Sequence, residues 1–202
     1  MINIAVFASG RGTNFNAIVK AVKKGELKAN LSLLVCDNPQ AHVIARAKHA
    51  NIKIVLVKRE DCSTSKEFED KIIRHLESEK IDLIVLAGFM RILGADIVKR
   101  YKNRIINIHP ALLPSFKGAH GIKDAFDYGA KVTGVTVHFV DEKMDHGAII
   151  LQQTIKIKET DTLESLEDKI HKIEHKVYPY AINLFAEGKL KIEGRTVRII
   201  SR

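Results

Sequence analysis

Between residues 2 and 108 the chain switches repeatedly between two periodicities, and this rhythm restricts the folds open to it more than any other feature. Residues 2–8 are an almost unbroken apolar run with a single Asn, the pattern of a parallel strand buried on both faces. Over 14–24, Phe15, Ile18, Val19 and Val22 recur at helical spacing, and Gly25 is placed to end that helix. Further strand-like runs cover 31–36, 53–57, 83–87 and 105–108, separated by helical patterns over 41–50, 65–78 and 95–101. In 65–78 the apolar stripe is Phe68, Ile72, Ile73 and Leu76. Strands that alternate with helices in this way predict a doubly wound α/β sheet. The rhythm then changes: 132–140 and 149–158 alternate polar with apolar residues on either side of the turn-rich "DEKMDHGA". Such runs predict antiparallel strands that extend a mostly parallel sheet in the C-terminal part. Residues 163–186 read as a long helix with Pro179 in or near its last turns, where it could kink the helix. No Gly/Ser- or Pro-rich linker interrupts the pattern, so a single domain over residues 1–202 is expected.

Charge bounds the ligands. The chain has a formal charge of +9 and 33 basic residues, which favours anionic partners. Those residues are scattered rather than interleaved with aromatics, and zinc-finger spacings and RNA-binding signatures are missing. Phosphate or carboxylate ligands are therefore expected, and nucleic acid is not. Cys36 and Cys62 form no C-x-x-C pair, and Cys36 lies in an apolar run, as suits a buried thiol in a reducing compartment. "MINIAVFASG" reads as a first strand rather than a signal peptide, and no apolar stretch approaches the roughly 20 residues of a membrane span. A cytoplasmic protein without a membrane partner is expected.

"FASGRGTN" joins the first strand to the first helix. Glycines let a backbone approach an anion, and the free N–H groups of a helix start point toward it, so Gly10, Gly12, Thr13 and Asn14 form a candidate phosphate cradle. The dinucleotide fingerprint G-x-G-x-x-G would need Gly where Phe15 stands, and the P-loop spacing is absent. Asp37, at the end of the second strand, is a plausible ribose partner and keeps the dinucleotide reading open.

"INIHPALLPSFKG" is the second informative stretch. Ligand sites of open α/β sheets lie beyond the C-terminal ends of the strands, and strand alternation sends Asn107 and His109 to one side there. Pro110 restricts the backbone after His109. An amide and an imidazole sharing one space can donate hydrogen bonds to the oxygen of a tetrahedral intermediate. A nearby carboxylate favours the protonated, donating imidazole. Asp145, between the alternating runs, is the strongest candidate, ahead of Asp141 and His146. These acids and His109 lack the paired ligand spacing of a metal site, and no G-x-S-x-G elbow or cysteine motif supports a covalent acyl intermediate. Direct transfer between two bound substrates is the simpler chemistry. His120 shares the glycine-bounded loop. His42, His49, His75, His138, His171 and His175 are expected to be structural or solvated.

Five motifs, "SGRGTN", "LAGFMRIL", "NIHPALLPSFKG", "HFVDEKMDHGAIILQQ" and "IEHKVYPYAI", follow one another along nearly the whole chain. Together the sequence resembles the formyltetrahydrofolate-dependent formyltransferases, in the branch that acts on glycinamide ribonucleotide in purine synthesis. That resemblance implies a Rossmann-like formyltransferase fold and metal-free transfer of formyl from 10-formyltetrahydrofolate, the co-substrate, to the amine of glycinamide ribonucleotide. It implies that Gly12, Thr13, Asn14 and Glu174 bind the ribonucleotide. Met90, Arg91, Ile92 and Leu93 would line the folate pocket, joined by Asn107. Asn107 and His109 would polarise the formyl oxygen, with His109 also moving protons and Asp145 supporting it. Lys66 stands where the family usually has Arg toward the folate side, keeping the charge but losing the bidentate fork. Residues 1–105 would form a nucleotide- and phosphate-binding half, and 106–202 a catalytic and folate-binding half, in a monomer or homodimer. The alternatives are a formyltetrahydrofolate hydrolase or another formyltransferase, whose extra domains 202 residues would not accommodate, and a non-catalytic nucleotide-binding module.

Overall fold

The computed structural model describes residues 1–200. Its chain order is β1 (Ile2–Phe7), α1 (Thr13–Lys23), β2 (Ala29–Cys36), α2 (His42–His49), β3 (Lys53–Leu56), a 3₁₀ turn (Arg59–Asp61) and α3 (Ser65–Ser78). Then follow β4 (Leu83–Leu86), α4 (Ala95–Arg100), β5 (Ile105–His109), α5 (Gly121–Asp127), β6 (Val132–Phe139), β7 (Ile149–Lys156), α6 (Leu163–Ala186), β8 (Leu190–Glu193) and β9 (Thr196–Ile199). All nine strands form one sheet in the order β3-β2-β1-β4-β5-β6-β7-β9-β8. The first five are parallel to their neighbours, and β6 and β7 then run antiparallel beside β5, as the two periodicities predict.

Period-2 alternation along β1 divides the core into two layers. Ile4 and Val6 face the cluster that includes Phe15 and Ile18 of α1 and Ile170 and Ile182 of α6. Ala5 and Phe7 face the opposite cluster, with Phe68, Ile72 and Leu76 of α3 and Ile97 of α4. Burial on both faces explains why β1 reads as a continuous apolar run. Local chemistry sets the helix ends. α1 stops where Gly25 takes φ +73, with Gly25 N–H on the Val22 carbonyl and Glu26 N–H on that of Ala21, a Schellman arrangement. α3 starts at Thr64, whose hydroxyl accepts the Glu67 N–H at 3.0 Å, and α6 at Thr162 through a capping box with Ser165. Pro179 lies inside α6, on its buried face.

Two features extend the expected plan. α5 fills the stretch after the "SFKG" loop, too short for its periodicity to register in the sequence. β8 and β9 add a C-terminal hairpin closed through Gly194, at φ +62. Its signal, apolar Leu190/Ile192 and Val197/Ile199 on either side of a glycine turn, is present in the sequence but short. Among the described residues no helix is long and apolar enough to cross a membrane.

Candidate active site

The strand order reverses between β1 and β4, so the loops leaving these strands diverge and open a crevice there. The β1–α1 loop carries Gly12 at φ +69, a conformation that L side chains adopt at a cost, and a Cβ added there would stand 2.5 Å from Val43 Cγ2. Glycine is therefore required twice over. The loop is tied from behind: Val43 N–H donates to the Gly10 carbonyl at 3.1 Å, and Arg46 Nε to that of Arg11 at 2.8 Å. Among the described residues no side chain caps α1, and no acidic residue lies in its first turn, so its N–H groups remain available to an anion.

Asn14, in that first turn, donates through Nδ2 to Glu174 at 3.1 Å, while its Oδ1 is buried with no partner among the described residues. Glu174 is only 4% exposed, and its Oε2 also accepts from His171 Nδ1 at 2.9 Å. That bond to Glu174 holds His171 above the usual histidine pKa despite its partial burial. One helical turn along α6, the buried Tyr178 hydroxyl reaches the carbonyls of Leu86 at 2.6 Å and Ile106 at 3.0 Å. Burial pushes that phenol well above its ordinary pKa, so it remains a donor. Tyr178 thereby fastens α6 to the C-terminal end of β4 and to the first half of β5, one residue before Asn107.

On β5, Asn107 and His109 do fall on one side. The antiparallel register sets Asn107 opposite His138 and His109 opposite Thr136 of β6. His109 is 3% exposed. Its Nε2 is 2.7 Å from the Phe116 carbonyl, which can only accept, so this nitrogen carries a proton. Nδ1 lies 3.5 Å from Asp145 Oδ2. Asp145 reaches this place through a backbone at φ +47, and the Gly118 N–H donates to its Oδ2 at 2.8 Å. Burial raises the Asp145 carboxyl, but His138, the Gly118 N–H and His109 together outweigh it, and the group titrates below the ordinary aspartate value. It is a carboxylate at neutral pH.

The site also contains residues that sequence reasoning missed. His138 was expected to be structural or solvated, yet its Nε2 is 3.2 Å from Asn107 Nδ2 and 3.7 Å from Asp145 Oδ1. Its Nδ1–H is committed to the Phe139 carbonyl at 2.8 Å. With Nδ1–H so placed, Nε2 stands between two partners: unprotonated, it accepts from the Asn107 amide and orients it, and carrying a proton, it donates toward Asp145. Thr136 holds the "HPALLP" loop: its hydroxyl donates to the Ala111 carbonyl at 2.7 Å and accepts from Leu113 N–H at 3.0 Å. Gln152 Nε2 reaches both Thr136 Oγ1, at 3.0 Å, and the Leu113 carbonyl, at 2.9 Å. The only signal for His138 was its alternation with Thr136, and alternation does not reveal the strand opposite.

The remaining candidates separate. Met90 and Ile92 are largely exposed, at 72% and 77%, and can present an apolar rim. Leu93 is packed in the α3/α4 core, so only its backbone can face a ligand. Arg91 pairs with Asp37. Lys66 is exposed on the first turn of α3, and among the described residues no hydrogen bond or ion pair ties it to the Met90 loop. Asp37 does not offer itself to a ribose, because Ser9 and Arg91 occupy its two oxygens at 2.6 Å each. Asp141 and His146 pair with each other at 2.7 Å rather than with His109. His120 is exposed at the start of α5.

The arrangement combines an anion cradle, a buried carboxylate beside it, and an amide–imidazole–carboxylate group at the edge of the same crevice. Such a set can hold a phosphorylated substrate and stabilise negative charge at a carbonyl oxygen while protons move. The formyl transferase family model matches residues 2–182. A phosphoribosylglycinamide formyltransferase of Bacillus subtilis is 48% identical over 182 residues, which are 90% of this chain and 93% of that protein. Among solved structures, glycinamide ribonucleotide transformylase 1 of Symbiobacterium toebii superposes with a TM-score of 0.97 at 39% identity, covering 100% of this chain and 95% of the other. The Geobacillus kaustophilus protein of the same name gives 0.90 at 45%, covering 92% and 98%.

Proposed function

The chain belongs to the formyl transferase family, and from that premise we propose that it transfers the formyl group of 10-formyltetrahydrofolate to the amine of glycinamide ribonucleotide. The products are formylglycinamide ribonucleotide and tetrahydrofolate. The observation that carries this reading is the convergence of Asn107, His109 and Asp145 at the strand ends beside an uncapped helix start. Two halves of one domain contribute, with the phosphate loop from the first and the reacting group from the second.

The ribonucleotide phosphate sits on the N–H groups of Gly12, Thr13 and Asn14, and Glu174 accepts a hydrogen bond from its sugar. Met90, Arg91, Ile92 and Leu93 line the folate pocket, and Lys66 adds charge near the folate tail. The substrate amine attacks the formyl carbon, and the carbonyl π pair moves onto oxygen. Asn107 Nδ2 and His109 Nε2–H stabilise that oxygen. The Nε2–H now given to Phe116 is the donor that the oxyanion takes over. On collapse, the C–N bond to the folate breaks, the nitrogen takes a proton, and the attacking amine loses one. His109 handles that exchange, with Asp145 fixing its ring and balancing the imidazolium charge. No atom is left on the protein.

The test is an initial-rate assay of purified protein with 10-formyltetrahydrofolate, with and without glycinamide ribonucleotide. Tetrahydrofolate should appear only when the ribonucleotide is present. Equal turnover in water alone would identify a hydrolase, and no turnover in either case would remove the reading.

A further inference from the structure

Asp37 is nearly buried, its side chain 8% exposed, and it has no part in the mechanism above. It lies at the end of β2 and its partners are not on β2. Oδ1 accepts the Ser9 hydroxyl at 2.6 Å, and Oδ2 accepts Arg91 Nε at 2.6 Å. Ser9 is a junction in its own right. Its N–H donates to the Gly88 carbonyl at 3.0 Å, its Oγ accepts the Met90 N–H at 3.1 Å, and its carbonyl accepts Asn38 Nδ2 at 3.3 Å.

The result is a chain from Met90 N–H through Ser9 Oγ–H to Asp37 and back to the Arg91 side chain. Two successive residues of the 88–93 loop are held, one by its backbone and the next by its guanidinium, which also lies 5.7 Å from the centre of the Phe68 ring. Ser9 directly precedes Gly10, so the same bonds tie this loop to the phosphate loop across the switch between β1 and β4. Only an acceptor with two oxygens serves here: an amide would keep one acceptor and place a donor against Arg91 or Ser9.

We propose that Asp37 is a positioning residue, acting through Arg91 and Ser9, that sets the folate-side loop relative to the ribonucleotide cradle. It rests on the reading of loop 88–93 as the folate wall. Its consequence is selective. Loss of Asp37 loosens the folate side and leaves the phosphate loop, which α2 holds independently through Val43 and Arg46.

The experiment measures KM for 10-formyltetrahydrofolate, kcat, and ribonucleotide affinity by calorimetry in wild type, Asp37→Asn, Arg91→Ala and the double variant. Asp37→Asn should raise the folate KM about tenfold while kcat changes by less than about threefold and ribonucleotide affinity by less than about twofold. The double variant should raise the KM no further than the larger single effect, because both act through one contact. Ser9→Ala spares the Asp37–Arg91 pair and removes the Met90 anchor, so it should raise the same KM by a smaller factor. An unchanged folate KM in Asp37→Asn and Ser9→Ala overturns the proposal, as do effects of Asp37→Asn and Arg91→Ala that multiply independently. Inactive wild-type protein would instead sink the functional reading beneath it.

Discussion

Replacing Thr136 by Val tests how the loop beyond His109 is held. The two side chains are nearly isosteric, so the change removes a hydroxyl and little volume. Thr136 is fully buried, and its Oγ1 satisfies the Ala111 carbonyl at 2.7 Å and the Leu113 N–H at 3.0 Å. Gln152 Nε2 loses one acceptor but keeps the Leu113 carbonyl at 2.9 Å. Two backbone groups are thus left unpaired, at about 1–3 kcal/mol each, or about 2–5 kcal/mol together after partial relaxation. In a domain of this size about 1 kcal/mol corresponds to roughly 2–4 °C, so the melting temperature should fall by about 4–20 °C. The same loop supplies the Phe116 carbonyl to His109 and the Gly118 N–H to Asp145, so kcat should drop well before the protein melts. Circular-dichroism melts and steady-state rates measure both. A melting temperature within about 2 °C of wild type, with kcat unchanged, would contradict this role for Thr136, because it would mean that the two backbone groups find other partners.

His109→Ala should cost about 10²-fold or more in kcat with substrate binding largely kept, and near-normal turnover would exclude the imidazole from the chemistry. Gly12→Ala forces φ +69 on a side chain and drives a Cβ to 2.5 Å from Val43 Cγ2, so calorimetry should show weakened ribonucleotide binding and melts a lower midpoint. Asp161 illustrates the pH dependence. Its hydrogen bonds with Lys169, and then those from Lys158 N–H and Ser165, lower its pKa from 3.8 to about 2. A lowered folded pKa adds stability that is present above pH 3.8 and fades as pH falls toward about 2. Asp161→Asn should therefore lower the urea midpoint at pH 7 and match wild type near pH 2, whereas a gap independent of pH would contradict the assignment.

Where the sequence was informative, the reason is that the signal was local. α3 and α6 span the residues their periodicity indicates, and their starts are fixed within one turn by the caps Thr64 and Thr162. The crevice was legible as well, since a glycine loop after a buried strand and a same-side Asn107/His109 pair depend only on neighbouring residues. Asp145 could be named from the sequence as the best carboxylate, but its approach to His109 could not. That approach requires φ +47 at Asp145 and a hydrogen bond from Gly118, 27 residues away.

The alternation of strands and helices, the mixed character of the sheet, the glycine turn that opens α1 and the residue types available for chemistry are all set locally in the sequence. Each follows from side-chain periodicity or from backbone freedom at a glycine, and both act over a few residues. Packing alone brings His138 beside Asn107, sets Thr136 and Gln152 against the loop that follows His109, and joins Asp37 to Ser9 and Arg91 instead of leaving it free for a ribose. Those roles depend on which strand lies opposite and in what register. That choice is made when both faces of the sheet are buried at once, so it is a property of the packed chain rather than of any segment.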